Sequence, residues 1–209
     1  MDDITLYMGV SHMLTLPKLS LEFYILSLLN LLREKDLYTF EHSLRVANYS
    51  IEISKQLDLP SGVQTEIFHG ALVHDIGKLS IPATILQKPS KLTDEERLIV
   101  NQHPVFGYEM LSAFECFSPS IKEMALLHHE RLDGEGYPFA TLGNDLSLNV
   151  KIVSVADSFD AMTSFRAYRK DNNPMRAIEE IERKIGTQFD ALPAKALIRA
   201  YKKGQLNLF

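Results

Sequence analysis

The sequence predicts an all-α single domain, and three observations carry that prediction. Apolar residues recur at helical spacing through most of the 209 residues. Ser, Thr, Asn, Pro and Gly fall between those segments where helix starts and stops belong. Only one long stretch, ERLDGEGYPFATLGNDLSL at 130–148, follows no regular period. A chain of this length buries roughly 70% of the surface that its unfolded form exposes, enough for one core without a staple. No internal repeat, low-complexity tract or break in composition marks a second domain.

Residues 1–19 read as an N-terminal arm and 20–209 as the domain. From Leu21 to Leu32 apolar residues surround the axis, so this helix is expected to be buried or to lie under a partner. FEHSLRVANYSIEISKQL then places Leu44, Ala47, Ile51 and Leu57 on one stripe, and LPSG ends it. Ser61 and Gln64 have capping-box spacing ahead of VQTEIFHGALVHD, and Thr93 and Glu96 have it ahead of RLIVNQH. Pro104 is expected to end or kink that helix just after His103. Further helices are expected from Pro119 to His129 and over NVKIVSVADSFDAM. Asn173 and Pro174 read as a cap and a first-turn proline, and Gly186 as a stop.

Charge and hydropathy narrow the function. With 22 Lys and Arg against 27 Asp and Glu, the net charge of -5 argues against a nucleic-acid polymer as partner. A phosphate ligand would have to be met by a local cluster. The most apolar segment, FYILSLLNLL, is roughly half of what a bilayer span needs, and the N-terminus opens on acids without a signal pattern. Neither a membrane nor export is expected. Cys116, the single cysteine, allows no intramolecular disulfide and fits a reducing compartment, so the expected location is the cytoplasm.

The residues that carry chemistry begin with ALVHDIGKLSIP, 71–82, where His74 stands beside Asp75 in an apolar run. Burying that pair costs free energy unless both groups find partners. The chain has seven histidines: His12, His42, His69, His74, His103, His128 and His129. Taken singly, each is an ordinary core or surface histidine, and His12 and His69 are left as such. His128 and His129 would point about 100° apart on an ideal helix, so they can face one site only near a helix end. They lie at such an end, just before the glycine-rich stretch. With Asp75 and Asp157, the other five histidines fall on five separate predicted helices: His42, then His74 with Asp75, then His103, then His128 with His129, then Asp157.

These residues resemble the HD superfamily of metal-dependent phosphohydrolases, whose signature is a His, a His-Asp doublet and a distal Asp. HDIGK, NQHP, HHERLDGEGYP, VADSFDAMTSFRAYR, DLYTFEHS and GTQFD are similar to motifs of its HD-GYP branch, bacterial phosphodiesterases that open cyclic di-GMP. The likeness covers about residues 20 to 205. It implies a helical HD-type bundle with a metal centre in its core and two divalent transition metals, iron or manganese first and nickel or zinc after them. Imidazole and carboxylate donors suit such ions. By the same resemblance His42, His74, Asp75 and Asp157 would hold one metal, and Asp75, His103, His128 and His129 the other, with Asp75 as bridge. A hydroxide bridging two metals would attack the phosphodiester while the ions neutralise phosphoryl charge.

Asp75 and Lys78 would then be catalytic, and Lys78, Tyr137, Arg166 and Arg169 would bind substrate, guanidinium groups being suited to bidentate phosphate contacts. Read without the resemblance, Lys78 is a solvated helix-end residue and the two arginines a surface cluster. Asp160 would orient a ligand histidine or lie on the helix surface. Tyr38 stands where some members carry a third-metal glutamate, which implies two metals and cyclic di-GMP hydrolysis to linear pGpG, with GMP as a further step. Phe165, Ala167 and Leu132 depart from the branch's pattern. The rival readings are an HD hydrolase for another nucleotide or cyclic dinucleotide, and a weakly active cyclic di-GMP-binding interaction module. The N-terminal arm, a regulatory protein partner and expression level are the routes of control the resemblance leaves open, and it leaves the oligomeric state open too.

Overall fold

Ser20 opens the first helix: its hydroxyl accepts the Phe23 N–H, closing one of the free amides that every helix start exposes. The same device recurs. Thr93 and Glu96 complete the expected capping box, Ser118 and Ser147 cap the two helices that follow them, and Asn173 accepts from Met175 ahead of Pro174, as its spacing predicts. The computed structural model describes residues 20–164 and 172–206. Among these, the α-helices are α1 Leu21–Lys35, α2 Leu37–Gln56, α3 Ser61–Val73, α4 Ala83–Leu86, α5 Asp94–Val100, α6 His103–Ser112, α7 Pro119–Leu127, α8 Leu148–Thr163, α9 Pro174–Arg183 and α10 Ala191–Lys202. Two 3-10 turns, Ile76–Ser80 and Gly143–Asp145, join them. There is no β-strand among the described residues, only an isolated bridge between Ile185 and Phe189. The all-α expectation holds.

Helix α2 is the axis of the bundle and packs on α1, α3, α8 and α10. Its buried side carries Val46, Ala47, Tyr49 and Ile53, and the Tyr49 ring meets Phe159 of α8 edge-on at 5.2 Å. The stripe read from sequence is corrected here: Leu44 is exposed and Ile51 only half-buried, whereas the polar His42, Ser43, Ser50 and Ser54 take inward positions. An apolar count misses them: His42 finds Asp157 and Asp160 on α8, Ser54 bonds the Ile51 carbonyl of its own helix, and the small Ser43 and Ser50 are buried without a hydrogen-bond partner among the described residues. Helix α1 buries one face, through Ile25, Leu28, Leu29 and Leu32, and exposes Phe23, Leu26 and Leu31 on the other. No helix among the described residues is long and apolar enough to cross a membrane.

Two boundary expectations are also corrected. Ser61 makes no capping bond and is the first residue of α3; Gln64 instead donates to the Leu59 carbonyl. Pro104 stands in the first turn of α6 rather than ending a helix, because its fixed φ and missing N–H suit a helix start. The helix read as continuous through His103 is therefore two, α5 and α6. His103 sits on the first residue of the second.

Gly77 decides how closely the turn after α3 meets α6. A Cβ built there would lie 1.9 Å from the His103 carbonyl oxygen and 2.4 Å from the Gly107 nitrogen, both backbone atoms that cannot rotate away. Gly77→Ala should therefore force the two segments apart, at about 1–3 kcal/mol for an overpacked contact. For a chain of this size that is a fall in Tm of about 2–4 °C per kcal/mol. Gly62→Ala, where nothing lies within 4 Å, serves as the control and should leave the melting temperature in place or raise it.

Candidate metal centre

Helix ends bring the polar residues together. His42 projects inward from the first turns of α2, His74 caps the C-terminus of α3 with Asp75 next, His103 begins α6, His128 caps the end of α7 with His129 next, and Asp157 faces inward from α8. All but His129 are buried, and His129 is half-buried at the mouth. One ligand atom each from Asp75, His103, His128 and His129 lies within 4.8 Å of the others, and so does one each from His42, His74 and Asp157. Each set could hold a metal ion.

Asp75 stands between the sets. Its Oδ1 is 3.1 Å from His103 Nε2 and 3.8 Å from His128 Nε2; its Oδ2 is 3.5 Å from His42 Nε2 and 3.6 Å from His74 Nε2. Despite these short distances, Oδ1 is buried without a hydrogen bond of acceptable geometry, and so is His74 Nε2. Asp157 completes the second set, with Oδ1 3.1 Å from His42 Nε2, and its Oδ2 lies 3.6 Å from His129 Nδ1. Buried acceptor atoms converging without donors are what a cation would satisfy.

The backbone fixes which nitrogen of each imidazole is available. His74 Nδ1 lies 2.7 Å from the Ala71 carbonyl, His103 Nδ1 2.7 Å from the Val100 carbonyl, and His128 Nδ1 3.0 Å from the Ala125 carbonyl. A carbonyl can only accept, so Nδ1 carries the proton in all three and Nε2 turns its lone pair inward. His103 and His128 accordingly face each other through Nε2 atoms 3.3 Å apart. For His42 the outer acceptor is Asp160, whose Oδ2 is 2.7 Å from Nδ1. Asp160 is fully buried and is held in turn by Arg45 Nε at 2.7 Å and by the Ser164 hydroxyl at 2.8 Å. Of the two readings the sequence left for Asp160, the geometry supports the orienting one.

Charge follows from this wiring. Burial opposes a charged imidazole at His42, yet the hydrogen bonds to Asp157 and Asp160 outweigh it and raise its pKa to about 9. Burial likewise opposes the Asp157 carboxylate, but His42 beside it brings it down to about 2. Asp75 lies well below the usual carboxylate range: burial is overcome by Lys78, His74 and His103. Burial and neighbouring imidazoles push His128 and His129 well down, and burial also lowers His74. His74, His128 and His129 are thereby held toward the neutral form, and His42 toward the charged one.

Lys78 Nζ donates to Asp75 Oδ2 at 2.6 Å, so this lysine lies at the doublet rather than in solvent. Tyr137 stacks on His129 with ring centroids 4.6 Å apart. Burial, then Asp157 and Asp75, push its phenol upward, so it remains an O–H donor. Tyr38 stacks on His42, and Asp36 is engaged by the Thr39 hydroxyl at 2.6 Å. Arg166 and Arg169 lie outside the described residues.

Two residues that sequence reasoning passed over support the site. Arg45, three positions after His42 on the same helix face, secures Asp160. Glu130 follows the His pair, is buried, and accepts the N–H groups of Phe139 at 2.7 Å and Thr141 at 3.0 Å. It thereby clasps the irregular stretch back onto the end of α7. Gly136 permits the fit, since a Cβ there would meet the backbone of 129–131 at about 2.5–2.6 Å. The available signal was a third ionisable residue directly after two inward histidines.

Known proteins agree with this geometry. The family described as HD domain matches residues 27–192. Over 176 residues the chain is 40% identical to a cyclic di-GMP phosphodiesterase of Pseudomonas aeruginosa, covering 83% of this chain and 42% of that protein. It is 39% identical over 185 residues to a cyclic di-GMP phosphodiesterase of Thermotoga maritima, covering 87% and 50%. The chain thus spans half or less of the length of these relatives. A crystal structure of a cyclic GMP-AMP specific phosphodiesterase of Vibrio cholerae superposes with a TM-score of 0.66 at 18% identity, over 89% of this chain and 50% of that one, and so shares the fold.

Two outcomes are expected. The His42 charge stabilises the metal-free protein fully below its ordinary value of 6.5, and that stabilisation is lost as pH rises through about 9. A divalent ion must displace this proton, so manganese affinity should rise roughly tenfold per pH unit across the same window. Thermal denaturation in chelator and manganese titrations from pH 6.5 to 9 measure both, and a pH-independent affinity would count against His42 as a ligand. For the clasp, Glu130→Ala should speed amide exchange at Phe139 and Thr141 about tenfold or more, given ~1.5–3 kcal/mol for a hydrogen bond to a charged group. Unchanged protection would show that the loop holds itself.

Proposed function

The chain belongs to the HD-domain family, and from that premise we propose that it is a metal-dependent phosphodiesterase of the HD-GYP kind that hydrolyses cyclic di-GMP to linear pGpG. The observation that carries the reading is the Asp75 carboxylate, buried without a matching donor on Oδ1 and flanked by two sets of imidazole and carboxylate donors. The named activities of its relatives support cyclic di-GMP as first choice, and the neighbouring fold of a cyclic GMP-AMP enzyme makes other cyclic dinucleotides the second reading.

Two divalent ions, iron or manganese by preference, would be held by His42, His74, Asp75 and Asp157 and by Asp75, His103, His128 and His129. They would supply a water acidic enough to ionise near neutral pH and neutralise charge on the phosphoryl group. The protein's own groups do the rest. Asp75 spans both positions through its two oxygens, and Asp160 and three backbone carbonyls keep Nε2 of four histidines facing inward. Lys78, placed at the doublet by its 2.6 Å bond to Asp75 Oδ2, would meet the non-bridging phosphate oxygens. Tyr137 keeps its proton and donates a hydrogen bond at the mouth. Arg166 and Arg169 remain candidates for further phosphate contacts. Tyr38 and the engaged Asp36 favour two ions over three and one cleavage over two.

Metal analysis of anaerobically purified protein, followed by product analysis with cyclic di-GMP, tests this. We expect about two ions per chain and pGpG as main product. Asp75→Asn should lose metal from both positions and lower turnover by about 10²-fold or more, as loss of ligands or their supports does, while His103→Ala should keep one ion. Equal metal content in the two variants would remove Asp75 from the bridging role. A metal-loaded wild-type chain that opens no cyclic dinucleotide would overturn the function.

A further inference from the structure

A groove of about 220 Å³ runs away from the metal centre. It is lined by His128, His129 and Tyr137 of the centre, by Ser154 and Ser158 of α8, and by Gln188. The walls are tied to each other, because the Asp133 N–H donates to the Thr187 carbonyl at 2.9 Å.

Among the described residues, three polar side chains of this groove make no hydrogen bond. Ser154 is only 8% exposed, yet its hydroxyl finds no partner there, and neither do the Ser158 hydroxyl and the Gln188 amide. A helical serine or threonine commonly bonds the carbonyl one turn back, as Thr163 does to Phe159 at 2.9 Å in the same helix. Two serines and a glutamine facing one groove with their donors and acceptors free make a surface ready for a ligand that offers both.

The charge of the groove narrows what that ligand is. Among the described residues its one cation, Arg131, is already engaged by Asp133 at 3.0 and 2.5 Å and lies 3.3 Å from Glu135. A phosphate therefore finds no free positive group among the described lining residues, whereas a neutral heterocycle finds hydrogen-bonding groups. The volume is about that of seven waters at ~30 Å³ each and below the ~300–1,000 Å³ of pockets that enclose whole drug-sized ligands. It suits one flat ring system. We propose that this groove receives one purine base of the cyclic dinucleotide, with Gln188 as the specificity-determining contact and Ser154 and Ser158 beneath the ring. The inference rests on the cyclic-dinucleotide reading above and adds where the base goes.

Calorimetric binding of a hydrolysis-resistant phosphorothioate cyclic di-GMP to the metal-loaded chain tests it, with inorganic phosphate as the ligand that lacks a base. Gln188 is half-buried and makes no side-chain bond, so Gln188→Ala should fold normally, with an unchanged melting temperature as the check. It should weaken the dinucleotide about tenfold, as loss of a good side-chain contact to a base edge does. Ser158→Ala should weaken it by a smaller factor, and phosphate binding should stay within about twofold in both. The proposal fails if both variants bind the dinucleotide like wild type, if phosphate weakens as much as the dinucleotide, or if the wild-type chain binds no cyclic dinucleotide. A wild-type chain that binds cyclic di-GMP but never cleaves it would overturn the proposed function and leave the groove standing.

Discussion

The burial of Asp75 among four imidazole nitrogens is the constraint on which the rest of the structure depends. A carboxylate taken out of water costs several kcal/mol unless it is paired. Lys78 and the charged His42 answer part of that cost, while Nε2 of His74, His103 and His128 turns its lone pair toward the carboxylate, so a cation is what would complete it. The four imidazoles come from α2, α3, α6 and α7. Three of these helices contribute from an end and α2 from its second turn, where side chains can converge without the helices colliding. The fold is therefore read most directly as a way of aiming helix termini at one point. The buried polar residues of α2 follow from this: that helix carries His42 to the centre and packs the bundle with the same face.

Control over the imidazoles is exercised mostly by the main chain. The last turn of a helix leaves carbonyls without partners, and His74 and His128 use such carbonyls from their own helices to fix which ring nitrogen is protonated. His103 uses a carbonyl from the end of the preceding helix. Only His42, which lies away from any helix C-terminus, requires a carboxylate for the task. That difference has an electrostatic result. His74 and His128, bound to carbonyls, are held toward the neutral form, while the carboxylate-bound His42 is held toward the charged one. The five histidines, equivalent on paper, are thus two kinds of group.

Much of this was legible in the sequence, and what escaped has physical reasons. The helical character, the capping box at Thr93 and the cap at Asn173 are local, set by residues within one turn, and they emerge as read. The seven polar residues that converge were legible because the HD doublet, the adjacent histidines and the distal aspartate form a pattern too specific to arise from core packing alone. The start of α6 was misread because proline is a stop inside a helix and a start in its first turn, and spacing alone does not say which. The buried face of α2 was misread because an apolar count passes over polar interior residues: His42 is held by Asp160, 118 positions away, and the small Ser43, Ser50 and Ser54 pack inward without a partner from another helix among the described residues. Glu130 and Arg45 fall in the same class: each acts on groups distant in sequence, Glu130 on a loop that folds back and Arg45 on a carboxylate 115 positions away.

Backbone against backbone at Gly77 makes the centre stiff. With no side chain between the turn after α3 and the first residues of α6, there is no rotamer to relax and no methyl group to slide, so the doublet and His103 move as one body. Compliance must come from the other side, where Tyr137 rides on an irregular stretch held by single hydrogen bonds, two of them to the Glu130 carboxylate and others to the His129 and Thr187 carbonyls. Such an asymmetry divides the labour of a binding site in time: the rigid half sets geometry before anything arrives, and the looser half adjusts on the microsecond scale of loops as a ligand enters or departs. If release limits turnover in this protein, the rate will be written in the loop and not in the metal ligands.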